Sequence, residues 1–301
     1  MKITKYISKN VSNHIHFEYL CLIFINILNG EKIKMKKSII ATVILTVLLI
    51  SCQKEAVISN NQKLLLEDLI SAKNAAKPTV NLNNGLAAYY PFNGNAKDAS
   101  GNRNNGTVNG AVLTSDRFGK RNSAYSFNGT SSVIETPDSK SLSIVGDISM
   151  SAWVYDNGGG SYYHTILNKR LNGNWGYNMV YSFFYGQGGS PTEINKVLSG
   201  RRNNYGAEME FKFSNTEIAF NTWQHICVVI SRNIIKFYIN GVDAGYNIFG
   251  NQFTIPMINQ LVGLKIGSNG EGSEWMFGKL DEIRIYNRAL NSPEVTYLAT
   301  H

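Results

Sequence analysis

The side chains best suited to chemistry sit in glycine- and asparagine-rich stretches. Tyr155-Asp156-Asn157-Gly158-Gly159-Gly160-Ser161-Tyr162-Tyr163, Asn172-Gly173-Asn174-Trp175, Arg201-Arg202-Asn203-Asn204-Tyr205 and Ser273-Glu274-Trp275 interleave aromatic rings with amides and carboxylates. Rings stack on the C–H faces of pyranoses and amides satisfy hydroxyls, which matters because an unpaired buried polar group costs about 1–3 kcal/mol. Tyr162, Trp175, Tyr205 and Trp275 are therefore candidate carbohydrate contacts, with packing at a rim of the fold as the plainer role for each ring. A second constellation is Asp98, Ser100, Asn102 and Asn104, oxygen-bearing side chains at alternate positions of a glycine-containing loop. Such spacing suits a hard cation such as calcium. One carboxylate supplies little charge for that ion, and a network of Asx turns is the competing reading.

Other chemistries find little support. Past residue 51 the histidines are His164, His225 and His301, with no His-Glu-x-x-His or Cys-x-x-Cys spacing for zinc. Gly119-Lys120 and Gly278-Lys279 lack the spacing and the following Ser or Thr of a phosphate-binding loop. Glu208 and Glu210 alternate onto one strand face, where two exposed acids on an outer sheet are the simpler explanation than a catalytic pair. Cys227 lies in the apolar run Ile226-Cys227-Val228-Val229-Ile230 and reads as a small buried hydrophobe.

Met35-Lys36-Lys37-Ser38, the apolar run Ile39 to Ile50, and Ser51-Cys52 form a basic start, a hydrophobic stretch too short to span a bilayer, and a small residue before cysteine. Leu49-Ile50-Ser51-Cys52 resembles the bacterial lipobox, which implies acylation of Cys52. On this reading residues 1–34 are an extension upstream of the true initiator, 35–51 a lipoprotein signal peptide and 52–81 a lipid-anchored tether. Gln53-Lys54-Glu55 resembles the short signals that carry some lipoproteins to the cell surface, so the expected location is the outer membrane, with surface exposure. Leaving out residues 1–51 removes seven Lys and two Glu and lowers the net charge from +8 to +3. The basic balance that would suggest nucleic acid then disappears. Membrane contact is expected through the lipid anchor only.

The elements that must position these residues are strands. From residue 82 to 301 short β-rich runs alternate with Gly/Asn turns: Leu86–Tyr90, Ala124–Phe127, Ile148–Tyr155, Tyr177–Phe184, Glu208–Phe213, Trp223–Ile230, Ile234–Ile239 and Leu280–Tyr286. Ile148, Met150, Ala152 and Val154 share one face and Ser149 and Ser151 the other. Asn240-Gly241 marks a hairpin-type turn. The expected fold class is all-β, an antiparallel two-sheet jelly-roll sandwich. Trp153 and Trp223 lie in strands and read as core.

Several segments in order resemble the laminin G-like, concanavalin A-like jelly-roll family. They are Gly85-Leu86-Ala87-Ala88-Tyr89-Tyr90-Pro91-Phe92 with Asp98-Ala99-Ser100-Gly101-Asn102, then Phe127-Asn128-Gly129, Trp223-Gln224-His225-Ile226 and Phe237-Tyr238-Ile239-Asn240-Gly241. The last, and the most specific, is Gly278-Lys279-Leu280-Asp281-Glu282-Ile283-Arg284-Ile285-Tyr286-Asn287-Arg288-Ala289-Leu290. The resemblance implies that the Asp98 loop, the turn after Phe127 and the Asp281 pair lie near one another. Asp98, Asn128 and Asp281 would then share a structural calcium, although related sequences often carry Asp where this chain has Asn128. Glycosidases of this fold carry Glu-x-Asp-x-x-Glu, and no Glu here is followed two residues later by Asp. The expected function is a non-catalytic cell-envelope lipoprotein module that binds carbohydrate through loops at one edge of the jelly roll. A protein-interaction or adhesion module is the alternative, and a glycosidase the remote one.

Overall fold

The structure, a computed structural model, describes residues 80–159, 163–170, 179–186, 194–202, 209–249, 261–269 and 274–301. Contacts divide the chain into two units, Met1–Lys77 and Pro78–His301, and the described residues lie in the second. Among them no helix is long and apolar enough to cross a membrane.

Among the described residues fifteen strands, a 3-10 turn at Lys140–Leu142 and one α-helix follow in order: β1 (Leu86–Tyr90), β2 (Thr107–Asn109), β3 (Val112–Thr114), β4 (Ala124–Asn128), β5 (Val133–Glu135), β6 (Ile148–Asp156), β7 (Tyr163–Arg170) and β8 (Met179–Gly186). Then come β9 (Lys196–Arg202), β10 (Met209–Glu217), β11 (Trp223–Ser231), β12 (Ile234–Ile239), β13 (Val242–Ile248), β14 (Lys265–Ile266), β15 (Phe277–Tyr286) and α1 (Ser292–Thr300). One sheet runs β13-β12-β11-β6-β15-β4-β3 with β1 also on β15; the other runs β10-β9-β8-β7-β14-β5-β2. Every pairing is antiparallel, as expected. We refer to these as the first and second sheets.

The alternation read in β6 holds. Ile148, Met150, Ala152 and Val154 enter the main core, while Ser149 and Ser151 point away from it. That core joins both sheets through Tyr90, Phe92, Phe127, Ile134, Ile166, Leu167, Phe237 and Ile266. Burying one such side chain stabilises by about 1.5–3 kcal/mol, so the two inner faces hold the sandwich together. Trp153 and Trp223, expected in the core, are instead half-buried on the far face of the first sheet. They alternate with Ala152 and Val154, and with Ile226 and Val228, and the parity of the strand sends them outward.

Helix α1 was not anticipated. Asn291 accepts a hydrogen bond from the Glu294 backbone N–H while the Glu294 carboxylate accepts from the Asn291 N–H, and Pro293 sits in the first turn. Asn-Ser-Pro-Glu at 291–294 is the sequence signal that would have revealed it. Val295 and Leu298 pack on Cys227, Val229, Tyr238 and Tyr286 and close part of the first sheet's outer face. Arg288 fixes the cap through both Glu294 oxygens, at 2.7 and 2.8 Å. Cys227 is fully buried there and burial pushes its thiol up, as the inert reading requires.

Candidate binding face and its surroundings

Register defines the face of the second sheet that points away from the core. Thr165 pairs with Phe184, which pairs with Leu198, which pairs with Phe213. Two positions along, Asn168, Ser182, Gly200 and Phe211 form a second row, and Tyr163, Gly186 and Lys196 a third. Directly paired residues share a face, and the intervening rows, which hold Leu167 and Val197, enter the core. A bulge between Thr165 and Leu167 makes this pattern invisible to strict alternation. Tyr163, Leu198, Phe211 and Phe213 form an apolar cluster separate from the core. Beside it stand Thr165 and Asn168, 0% and 1% exposed, whose Oγ1 and Oδ1 have no hydrogen-bond partner.

The border of this face is polar. Asn168 Nδ2 donates to the Asn269 carbonyl at 3.4 Å, and Asn269 Nδ2 donates to Glu274 Oε2 at 3.0 Å. Glu274 sits at φ 59°, and half-buried Trp275 follows it. Nearby, buried His164 Nδ1 lies 3.2 Å from Asp156 Oδ1. Of these, Trp275 was a candidate from the sequence, whereas Thr165, Asn168 and Asn269 were not. A lone Asn or Thr in a strand carries no motif, and only register places them side by side.

Of the residues expected to contact ligand, Trp275 is described, whereas Tyr162, Trp175 and Tyr205 lie outside the described residues, as does Cys52. Arg170 pairs with Met179 and Met209 with Arg202, so the strand ends flanking Trp175 and Tyr205 share one end of the second sheet. Tyr163 pairs with Gly186 at the opposite end, and β14 runs antiparallel to β7 toward that end. The described strand ends flanking Tyr162 and Trp275 therefore group there.

The donor sets proposed for calcium do not fit an ion. Asp98 Oδ1 accepts from the backbone N–H groups of Tyr89 and Ser100, and Oδ2 from the backbone and side-chain N–H groups of Asn104, all at 2.9–3.0 Å. Asn128 Oδ1 accepts from the N–H groups of Thr130, Ser131 and Ser132. Asp281 Oδ2 lies 3.2 Å from Arg117, and its Oδ1 accepts from the Glu282 N–H. These oxygens face N–H donors in three separate networks, and among the described residues no group of three or more His, Cys, Asp or Glu side chains could hold a metal. The Asx-turn reading of this region is the one that matches the contacts.

Asp281 belongs to a polar layer on the outer face of the first sheet. It pairs across strands with Trp153, which pairs with His225. The Arg117 guanidinium lies 4.6 Å over the Trp153 ring and also donates to the His301 carbonyl. His225 shares a 2.8 Å hydrogen bond with Ser151, and burial, aided by Arg284 and Arg117, lowers its pKa to about 3, keeping it neutral. Burial first, then the neighbouring Glu282 charge, pushes the Asp281 carboxyl up to about 7 against the pull of Arg117. An unfolded Asp titrates near 4, so the folded chain binds this proton more tightly. The stability it contributes is complete below about pH 4 and is lost as pH rises through 7. Asp281→Asn removes that loss. The stability of the variant relative to wild type is expected to rise between pH 5 and pH 8, by on the order of 2 kcal/mol, in urea titrations. Parallel pH curves for the two proteins would exclude this titration.

Comparison with known proteins agrees with the architecture. A family model described as the concanavalin A-like lectin/glucanases superfamily, of laminin G type, matches residues 128–296. Domain 4 of an extracellular arabinanase from Geobacillus stearothermophilus, solved with arabinotriose, superimposes with a TM-score of 0.54 at 24% identity, over 71% of this chain and 98% of that one. The binding domain of Paraclostridial Mosquitocidal Protein 1 gives 0.58 at 18% identity, over 73% of this chain and 52% of that one. The botulinum neurotoxin serotype G binding domain gives 0.53 at 18%, over 71% and 50%. A 77-residue stretch is 26% identical to adhesion G-protein coupled receptor V1 of Danio rerio, covering 25% of this chain and 1% of that receptor. With the family model covering more than half of its length and the two-sheet antiparallel sandwich in place, this chain belongs to the concanavalin A-like lectin/glucanases superfamily.

Proposed function

We propose that the protein is a non-catalytic carbohydrate-binding module, lipid-anchored through Cys52 at the bacterial envelope, that seats a polysaccharide on the outer face of the second sheet. The observation that carries this reading is the juxtaposition on that face of the Tyr163, Leu198, Phe211 and Phe213 cluster with unpartnered Thr165 Oγ1 and Asn168 Oδ1. Apolar and aromatic surface takes the C–H face of a sugar, and the two orphaned atoms, which lie buried beneath that surface, take its hydroxyls once the side chains over them shift on binding. The solved complex of the arabinanase domain with arabinotriose supports it by likeness of fold. Among the described residues Glu274 is engaged by Asn269 and Glu135 by Asn109 and Lys265, while Glu217, in register with Lys196, is exposed on the edge strand. Hydrolysis uses a facing pair instead.

The experiment is a glycan-array screen of the full chain, followed by titration of the best hit with Thr165→Val. An orphaned buried hydroxyl costs stability and its removal is nearly isosteric, so the variant is expected to be more stable by about 1 kcal/mol while binding the sugar about tenfold more weakly. Undiminished binding would move the ligand off this face. The adhesion reading keeps one observation in its favour: edge strand β13 exposes Tyr246 and Ile248 on its outer face, beside exposed Ile234, an apolar strip a protein partner would cover. A blank array together with loss of cell adhesion on Tyr246→Ser would favour that reading.

A further inference from the structure

On the opposite sheet, between the β11–β12 turn and the first turn of α1, lies a groove of about 740 Å3. Its floor is apolar: Val229, Tyr238 and Leu290 belong to the buried cluster under α1. Its rim carries Arg232 and Lys236, both exposed. Among the described residues neither cation has an acidic side chain within ion-pairing distance. The acid that lines the groove, Asp147, spends its two oxygens on the Ser231 hydroxyl and the Arg232 N–H, each at 2.9 Å. The groove is thus an apolar basin with two free positive charges.

The turn places one of those charges at a cost. Ser231 pairs with Ile234, leaving Arg232 and Asn233 as a two-residue hairpin loop, and Arg232 adopts φ 53°. Gly, Asn or Asp fits that conformation far better than Arg. The Asp147 hydrogen bonds hold the turn, and the long guanidinium side chain stands where a small residue would fold more easily. Ser292, at the helix start, and the Asn233 amide add polar groups on the same lining.

We propose that this groove is a second ligand site, for a saccharide bearing an acidic group, whether a carboxylate or a sulfate ester. Arg232 and Lys236 pair with the acid, the Tyr238 and Leu290 floor takes the ring's C–H face, and the polar rim takes its hydroxyls. The volume lies within the range of small-molecule sites and is too small for a folded partner. A neutral sugar would leave both cations unused. The site is distinct from the second-sheet face and does not rest on that reading.

Isothermal titration of the full chain with oligogalacturonate, a sulfated oligosaccharide and a neutral arabino-oligosaccharide tests it. At least one acidic probe is expected to bind, and to weaken at least tenfold in Arg232→Asn/Lys236→Gln and again on raising salt from about 50 to 500 mM. Neutral-probe binding is expected to be unchanged. Galacturonate or sulfate preference assigns the acid. Both substitutions are at exposed positions, Asn suits the turn, and the melting temperature is expected to hold; Lys236→Gln alone provides the same readout in part. Absence of binding by both acidic probes, an unaltered affinity in the double variant, or equal affinity for a polyglutamate peptide would each overturn the proposal. Loss of neutral-sugar binding in Thr165→Val alone would report on the other face.

Discussion

Asp98→Ala is expected to lower the unfolding free energy by about 3–5 kcal/mol, and equally in calcium and in chelator. The carboxylate accepts four hydrogen bonds, three from backbone N–H groups of Tyr89, Ser100 and Asn104 and one from the Asn104 amide. Alanine leaves the three backbone N–H groups without this acceptor, and since Asn104 is buried, water does not readily replace what its N–H loses. The same Asn104 amide also donates to the Ala87 carbonyl and to Ser141, which ties the loop to β1 and to the segment after β5. A single charge therefore organises three stretches of chain. Asp98→Asn keeps one acceptor oxygen and should lose about half as much. Urea titrations in both media measure it. A loss several-fold larger in calcium than in chelator would assign an ion to this carboxylate and overturn the hydrogen-bond account.

Gly267→Ala is the second large effect, with an expected cost of about 3–4 kcal/mol and a fall in melting temperature of roughly 10 °C. Gly267 has φ 86°, a conformation that costs an L-residue about 1–2 kcal/mol. A Cβ there would also land inside the Phe127 ring, which is 1% exposed and has nowhere to move. Overpacking of that kind typically costs about 1–3 kcal/mol. The position matters for the site as well as for the core. Gly267 N–H donates to the Ile166 carbonyl, and its own carbonyl accepts from Met276 N–H, so it pins both ends of the segment carrying Asn269 and Glu274. With the second-sheet face as the proposed sugar site, sugar affinity measured well below the melting temperature should therefore fall along with stability. Calorimetry and titration on the same sample separate the two. An unchanged melting temperature would mean the backbone relaxes around the new methyl group.

How much of this was legible in advance follows from the range of each signal. β-rich composition between turn residues is local, and it located β1 and β12 to the residue, while period-two alternation gave the inward set of β6 correctly. Glycine and asparagine at turns are equally local, as Asn240-Gly241 shows, both at positive φ. Short strands such as β2, β5 and β14 carry too few residues for alternation to register, and their partners supply the missing specification. Helix α1 was readable from its capping box and was missed because no apolar helical stripe accompanied it; only two of its apolar residues, Val295 and Leu298, face the sheet.

The site divides along the same line. Local sequence was enough to show that this chain makes an antiparallel sandwich, that the Glu-x-Asp-x-x-Glu spacing of glycosidases of this fold does not occur in it, and that its Gly/Asn stretches carry rings and amides. Only the tertiary structure decided what each polar group faces. Arg117 meets Asp281 across 164 residues of chain, and Asn128 turns its oxygen to its own loop, so three oxygens that look alike as ion ligands have different partners. A bulge in β7 shifts Thr165 and Asn168 onto the outer face, and the pairing of four strands puts them in the same rows as Phe213 and Phe211, three strands away. Hydrogen-bond partners and shared faces depend on register between distant segments, and register is fixed by the total burial of both sheets rather than by any one stretch of sequence.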